Sequence, residues 1–180
     1  KGLDNSESMR FQTTVSNYKK VFSELSYSTN FMMFIDPFFD FEMDEYYYLI
    51  DLFRNLPPLD SVPRIEIHQS ATKGRGGNVT PITPGEIEET YKNILRPLLK
   101  ENILSVHVFL WLDMHDRFFI TDKVGYLMGT GFADNPGAFS QVTWSLLSDS
   151  DRDDVQIEYD PSKTGGRLFH KFHLSNDDYR

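Results

Sequence analysis

Strand-like and helix-like segments alternate along this chain, and the alternation predicts an α/β fold: a mixed β-sheet flanked by helices. Three observations carry that prediction. The first is the apolar run Phe31-Met32-Met33-Phe34-Ile35, which stops at Asp36-Pro37. A run that short, bounded by proline, fits a strand buried on both faces, as a central parallel strand is. The second is a pair of helical periodicities, one through Phe11, Val15, Tyr18, Phe22 and Leu25, the other through Ile87, Tyr91, Ile94, Leu95 and Leu98. The third is a pair of β-rich stretches, 64–68 and 105–111, interleaved with those helices.

In chain order, residues 1–10 read as a solvated lead-in and 11–28 as a helix packing on a sheet. After the strand at 31–35, residues 40–56 supply a second helix, with Tyr47, Ile50 and Phe53 as its inner stripe and Pro57-Pro58 as its stop. Arg64-Ile65-Glu66-Ile67-His68 alternates, which places His68 with Arg64 and Glu66 on an exposed polar face. The stretch 70–86, SATKGRGGNVTPITPGE, is long enough to be a flap or a plain surface loop. Its Lys73, Gly74, Arg75, Gly76 and Gly77 suit a phosphate cradle, yet no G-x-x-x-x-G-K-[ST] pattern makes it a P-loop. Pro84-Gly85-Glu86 opens a helix to about Lys100, and 105–111 is the third strand, with His107 as a structural residue on one of its faces. Arg117 to Thr121, a turn at Lys123-Val124-Gly125, and Tyr126-Leu127-Met128 form a hairpin. Beyond it, Val142, Trp144 and Leu146 alternate as a strand. Asp149, Asp151, Asp153 and Asp154 read as a solvated turn, with no closing Glu for a calcium loop. Val155 to Tyr159 reads as a last strand, 161–166 as a turn, and His170-Lys171-Phe172-His173 as a tail packing on the sheet.

At 180 residues the chain fits one domain, 1–180, and a first residue other than Met leaves open that it is a piece of something longer. With 15 Phe and 9 Tyr, large rings must fill much of the core. The absence of cysteine excludes disulfides, thiolate metal sites and Cys nucleophiles, and fits a cytoplasmic protein. No run approaches the ~18 apolar residues of a membrane span. A net charge of −9 works against a broad electrostatic grip on nucleic acid.

The densest chemistry lies in 113–135, DMHDRFFITDKVGYLMGTGFADN. On a strand, His115 and Arg117 would share a face, and an imidazole beside a guanidinium suits a phosphate. The pattern His115-x-Arg117-x4-Asp122 followed by Gly129-Thr130 resembles the phospholipase D superfamily signature H-x-K-x4-D…G-[ST]-x-N. Two positions depart from it: Arg117 stands for the Lys, and Phe132 for the Asn. Many bacterial phospholipase D-like domains carry this H-D-R-[FWY] variant. The order β-α-β-α-β-β matches one half of that fold, and FIDPFF resembles its opening strand.

The resemblance implies a metal-independent phosphodiesterase that needs no cofactor. His115 would be the nucleophile or acid, Arg117 the phosphoryl grip and Asp122 the group that orients the imidazole. Gly129, Thr130 and Ser140 would meet the substrate, and Asp36, at the C-terminal end of its strand, would either meet it too or cap the helix that follows. One motif copy supplies one imidazole, while the in-line reaction needs two, so the resemblance implies a homodimer. Nucleic acid is the expected phosphodiester, ahead of lipid. Two alternatives stand beside this: a catalytically silent module binding a phosphate-bearing or protein partner, and a structural domain of a larger bacterial defence or DNA-processing protein.

Overall fold

The computed structural model of the protein describes residues 8–26, 29, 31–56, 63–74, 79–101, 104–133, 140–163 and 165–179. Pro57-Pro58, Arg75, Gly76 and Gly77 lie outside the described residues. One eight-stranded mixed sheet runs through them, joined by a two-stranded ladder and four helices. Its strands are β1 (Ser8–Gln12), β2 (Phe31–Ile35), β3 (Arg64–Ser70), β6 (Ser105–Trp111), β7 (Phe118–Thr121), β8 (Gly125–Met128), β9 (Gln141–Leu146) and β10 (Leu168–Leu174). The short ladder pairs β4 (Thr72–Lys73) with β5 (Thr80–Pro81), inside the stretch expected to be a loop. The sheet order is β1-β9-β8-β7-β2-β3-β6-β10. β2, β3 and β6 are parallel, and every other pairing is antiparallel.

Helices α1 (Val15–Leu25), α2 (Tyr48–Arg54) and α3 (Pro84–Lys100) share one hydrophobic core with one face of this sheet. Phe22 sits at its centre, fully buried, with its ring 5.0 Å from Phe119, 5.4 Å from Trp144 and 5.8 Å from Phe34. Burying one such ring stabilises the fold by about 1.5–3 kcal/mol. α4 (Asp149–Glu158) serves the opposite face, where Val155 and Tyr159 pack with Met33, Ile35, Phe109, Trp111, Phe118 and Ile120.

Four elements differ from the sequence expectations. Residues 8–12 are a strand, because Met9 and Phe11 alternate inward; the helix starts only after Thr14, whose hydroxyl accepts from Asn17 N–H. The 40–56 segment is a 3₁₀ turn at Asp44–Tyr46 followed by the short α2, and Tyr47 is 60% exposed rather than inward. Residues 155–159 are no strand: they close α4. Ser148 caps that helix through Asp151 N–H, and the acids Asp149 and Asp151 fill its first turn, where the helix dipole favours them. Val155 and Tyr159, one turn apart, are the buried pair, while Ile157 is exposed. Finally, 170–173 belongs to an edge strand, β10, paired antiparallel to β6.

His68 is also placed differently. The polar face of β3 is covered, and His68 is fully buried, stacked 4.7 Å from the Phe109 ring. Trp111 Nε1–H donates to its Nδ1 at 3.1 Å, so its Nε2 carries the proton toward Glu66, 3.3 Å away. Burial pushes the His68 pKa down; burial also pushes Glu66 up, but His68 and Arg64 pull it below its ordinary value. The pair is therefore a neutral imidazole beside a carboxylate that Arg64 balances.

At the β6–β10 edge, His107 and His173 face each other across the ladder with rings 4.2 Å apart, and Ser105 Oγ lies 2.8 Å from His173 Nε2. Burial first, then His173 and Arg64, push the His107 pKa to about 4, against a smaller upward pull from Glu66. Between the ordinary value of 6.5 and about 4 the unfolded chain holds more protons than the folded one, so stability rises with pH across that window. Undiscounted, the step from pH 7 to pH 5 would cost about 2 kcal/mol through this residue; its ring is only half-buried, and solvent screening brings the expected cost to about 1 kcal/mol. His107→Gln should flatten that part of the dependence. Urea midpoints at the two pH values, measured for both proteins, would contradict this if the two slopes matched.

Candidate functional site

The topology decides which sequence positions meet. β2 ends at Ile35, so Asp36 sits at the carboxyl end of the parallel strands, where ligand sites gather in α/β sheets. β6 ends at the same side, and Leu112–Arg117 follow it there. β7 runs antiparallel to β2 and therefore begins on this side, just after Arg117; β8 returns to it, delivering Gly129–Phe132. β9 starts from it, just after Ser140. Of the seven expected site residues, six are thus brought to one end of the sheet.

Asp122 is not among them. It follows β7 at the far end, and the four-residue strand alone spans about 13 Å. Its carboxylate accepts a hydrogen bond from the Thr29 hydroxyl. The expectation that Asp122 orients His115 is therefore corrected: a strand runs between the two.

Asp113 is the carboxylate beside that ring. Its Oδ1 lies 2.9 Å from His115 Nε2, on a ring whose side chain is 83% exposed. The segment that carries both residues is itself fastened. Arg167 O accepts from Leu112 N–H at 2.9 Å, and Arg167 Nη2 donates to Asp113 O at 2.9 Å. The same guanidinium lies 3.4 Å from Glu158 Oε1 and 6.0 Å from the centre of the Trp111 ring. Sequence reasoning missed Asp113 and Arg167. A D-x-H spacing was visible for the first, and nothing local marked the second.

His115 and Arg117 do not share a strand face, because the chain is irregular from Leu112 to Arg117 and β7 begins one residue later. Arg117 is held from behind. Its Nε lies 3.5 Å from Asp36 Oδ1, an ion pair too long for a hydrogen bond. Its guanidinium carbon lies 5.2 Å from the centre of the Phe38 ring. Neither Nη group has a hydrogen-bond partner among the described residues, so the forked end of the side chain is available to an oxyanion.

Asp36, expected to touch substrate, is 1% exposed and spent on the protein. It accepts from Phe38 N–H at 3.0 Å, Phe132 N–H at 3.1 Å and the Tyr46 hydroxyl at 3.3 Å. Burial raises its pKa; those two backbone donors, then Arg117 and Tyr46, oppose the rise. Asp36 is a bracket that fixes Arg117 and the 131–132 turn.

The Gly129-Thr130-Gly131 turn follows. Gly131 adopts φ +75° and is the point of closest approach: a Cβ there would stand 2.2 Å from Asp36 Oδ2. Tyr18 and Tyr48 hydroxyls donate to the Gly131 and Phe132 carbonyls at 3.3 and 2.9 Å. Phe132, in the place of the signature's Asn, is fully buried, 5.1 Å from the Phe34 ring. It is a core anchor for the turn rather than a group facing the site. Gly129 and Thr130 are exposed beside it, and the Ser140 carbonyl accepts from Thr13 N–H at 3.1 Å.

No protein-family model matches the chain, and no curated protein sequence does. Among solved structures it is similar to TrmBL2, an archaeal chromatin protein described with a novel mode of DNA binding, at TM-score 0.43 and 9% identity over 86% of this chain and 49% of that one. It is also similar to a phosphatidylserine synthase of Haemophilus influenzae Rd KW20, at TM-score 0.48 and 15% identity over 89% of this chain and 38% of that one. The chain thus spans about half or less of either. At such scores and identities no function follows from the likeness. Among the described residues, no helix is long and apolar enough to cross a membrane, and no group of three or more His, Asp or Glu is placed to hold a metal ion.

Proposed function

We propose that the protein is a phospholipase D-like phosphodiester-cleaving domain, acting on nucleic acid through a site completed by a second copy of the chain. One observation carries this: an exposed imidazole paired with Asp113 lies two residues from a guanidinium whose Nη groups are unengaged among the described residues, at the carboxyl end of the three parallel strands of the mixed sheet. In the reaction, the His115 lone pair attacks phosphorus and the P–O bond to the leaving group breaks. The departing oxygen takes its proton from the imidazolium of the second copy, because one ring cannot stand on both sides of an in-line displacement. Water then cleaves the phosphohistidine, with the second imidazole accepting its proton. Arg117 balances charge on the equatorial oxygens.

Two features favour the alternative, a silent module that binds a phosphate-bearing or protein partner: the net charge of −9 and the tie of Arg117 to a buried carboxylate. Turnover separates the two. The expected result is hydrolysis of bis(p-nitrophenyl) phosphate that survives EDTA and whose specific activity rises with protein concentration through the monomer–dimer range. No turnover on any phosphodiester, with the protein folded and dimeric, hands the site to the binding reading.

A further inference from the structure

We infer that the cavity behind Phe38 is the subsite for one amino-bearing nucleobase attached to the phosphate held at Arg117; this rests on the phosphate site proposed above. The cavity measures about 250 Å³. That is below the ~300–1,000 Å³ of pockets that take drug-sized ligands, and it suits a single ring system. Phe38 and Asp40 from the turn after β2, Met43 and Glu45 from the 3₁₀ region, and Lys73 from the short ladder line it. Phe38 joins it to the phosphate site, since the same ring lies against the Arg117 guanidinium. A phosphate on the Arg117 Nη groups therefore sets its attached group beside the ring that walls the cavity.

The lining also states a preference. Phe38 and Met43 offer apolar, polarisable surface to the faces of a flat heterocycle. Among the described residues, the free acceptor on the polar rim is the Glu45 carboxylate: Asp40 Oδ1 accepts from Glu42 N–H at 2.9 Å and its Oδ2 lies 3.4 Å from Lys73, whose charge is shared with Glu42. Carboxylates accept from an exocyclic amino group, as they do from cytosine N4. They repel a second phosphate and the carbonyl edge of uracil. Adenine and cytosine should therefore be favoured over uracil, and a mononucleotide over a bare anion.

Titration calorimetry of the full chain with AMP, CMP, UMP and inorganic phosphate, at one ionic strength, tests this without requiring turnover. AMP and CMP should bind at least tenfold more tightly than UMP or phosphate. Phe38→Ala should weaken AMP about tenfold or more, and Glu45→Gln should narrow the gap between AMP and UMP. Thermal melts establish that each variant is folded, and Met43→Ala, at an exposed side chain, replaces Phe38→Ala should the latter not fold. Equal binding of AMP and UMP overturns the inference, as does AMP binding untouched by both substitutions in folded protein. Hydrolysis of bis(p-nitrophenyl) phosphate without any nucleotide preference would remove this subsite and leave the phosphodiester reading standing. The expected nucleotide preference without hydrolysis would keep the subsite and remove the catalytic step.

Discussion

His115→Ala should abolish hydrolysis of bis(p-nitrophenyl) phosphate, Asp113→Asn should lower kcat by about 10³-fold, and Asp122→Asn should change it by no more than about twofold. The physical reason is the partner of the imidazole. Asp113 Oδ1 stands 2.9 Å from Nε2, where its charge favours the ring form protonated on that nitrogen and leaves the lone pair on Nδ1 for attack. An amide in its place can present its NH₂ group to the ring and stabilise the opposite tautomer, and in serine-protease triads such a change costs about 10⁴-fold. The more exposed setting here justifies a smaller figure. Asp122 accepts from Thr29 on the far side of β7, so its loss should appear in stability alone. Steady-state rates beside thermal melts for the three variants decide the matter. Full activity in folded Asp113→Asn with a collapse in Asp122→Asn would reverse the assignment.

Gly131→Ala should destabilise the protein by about 3 kcal/mol or more. A positive φ of +75° already disfavours any side chain. The added Cβ would lie 2.2 Å from Asp36 Oδ2 and 2.8 Å from Arg117 Cδ, inside any tolerable contact. Asp36 cannot step aside freely, since the same carboxylate takes the Phe132 and Phe38 amides and the Tyr46 hydroxyl. For a chain of this size the melting temperature should fall by roughly 6–12 °C. Asp36→Ala removes the obstacle along with the bracket, so the double variant should be less destabilised than the two single changes summed. Gly131→Ala melting within about 2 °C of wild type would show that the turn relaxes and that the bracket is loose.

Much of the fold was legible in the chain. The run 31–35 and the periodicity of 84–100 identified their elements because burial on both faces, or on one helical stripe, leaves a pattern in neighbouring residues. The same logic misled at 155–159, where Val155, Ile157 and Tyr159 alternate like a strand. A capped, acid-led helix start at Ser148 outweighed the alternation. It misled at His68 too, because a polar strand face looks the same whether it meets water or a helix layer.

The site was legible only in part. His115 and Arg117 were visible as a motif, since their types and spacing are local. That Asp113 rather than Asp122 serves the imidazole depends on which way β7 runs, and no short window contains that fact. Arg167, 54 residues from Asp113, reaches it only because α4 and β10 fold back beside β6.

By itself the sequence determined that an imidazole and a guanidinium stand two residues apart next to a glycine-bearing turn, within an aromatic-rich α/β chain. Tertiary structure alone decided which carboxylate is spent on each: Asp36 behind Arg117, Asp113 on His115, Asp122 away on Thr29. Strand order and direction set those distances, and an ion pair or hydrogen bond needs atoms within about 4 Å, a condition that separation along a chain does not encode.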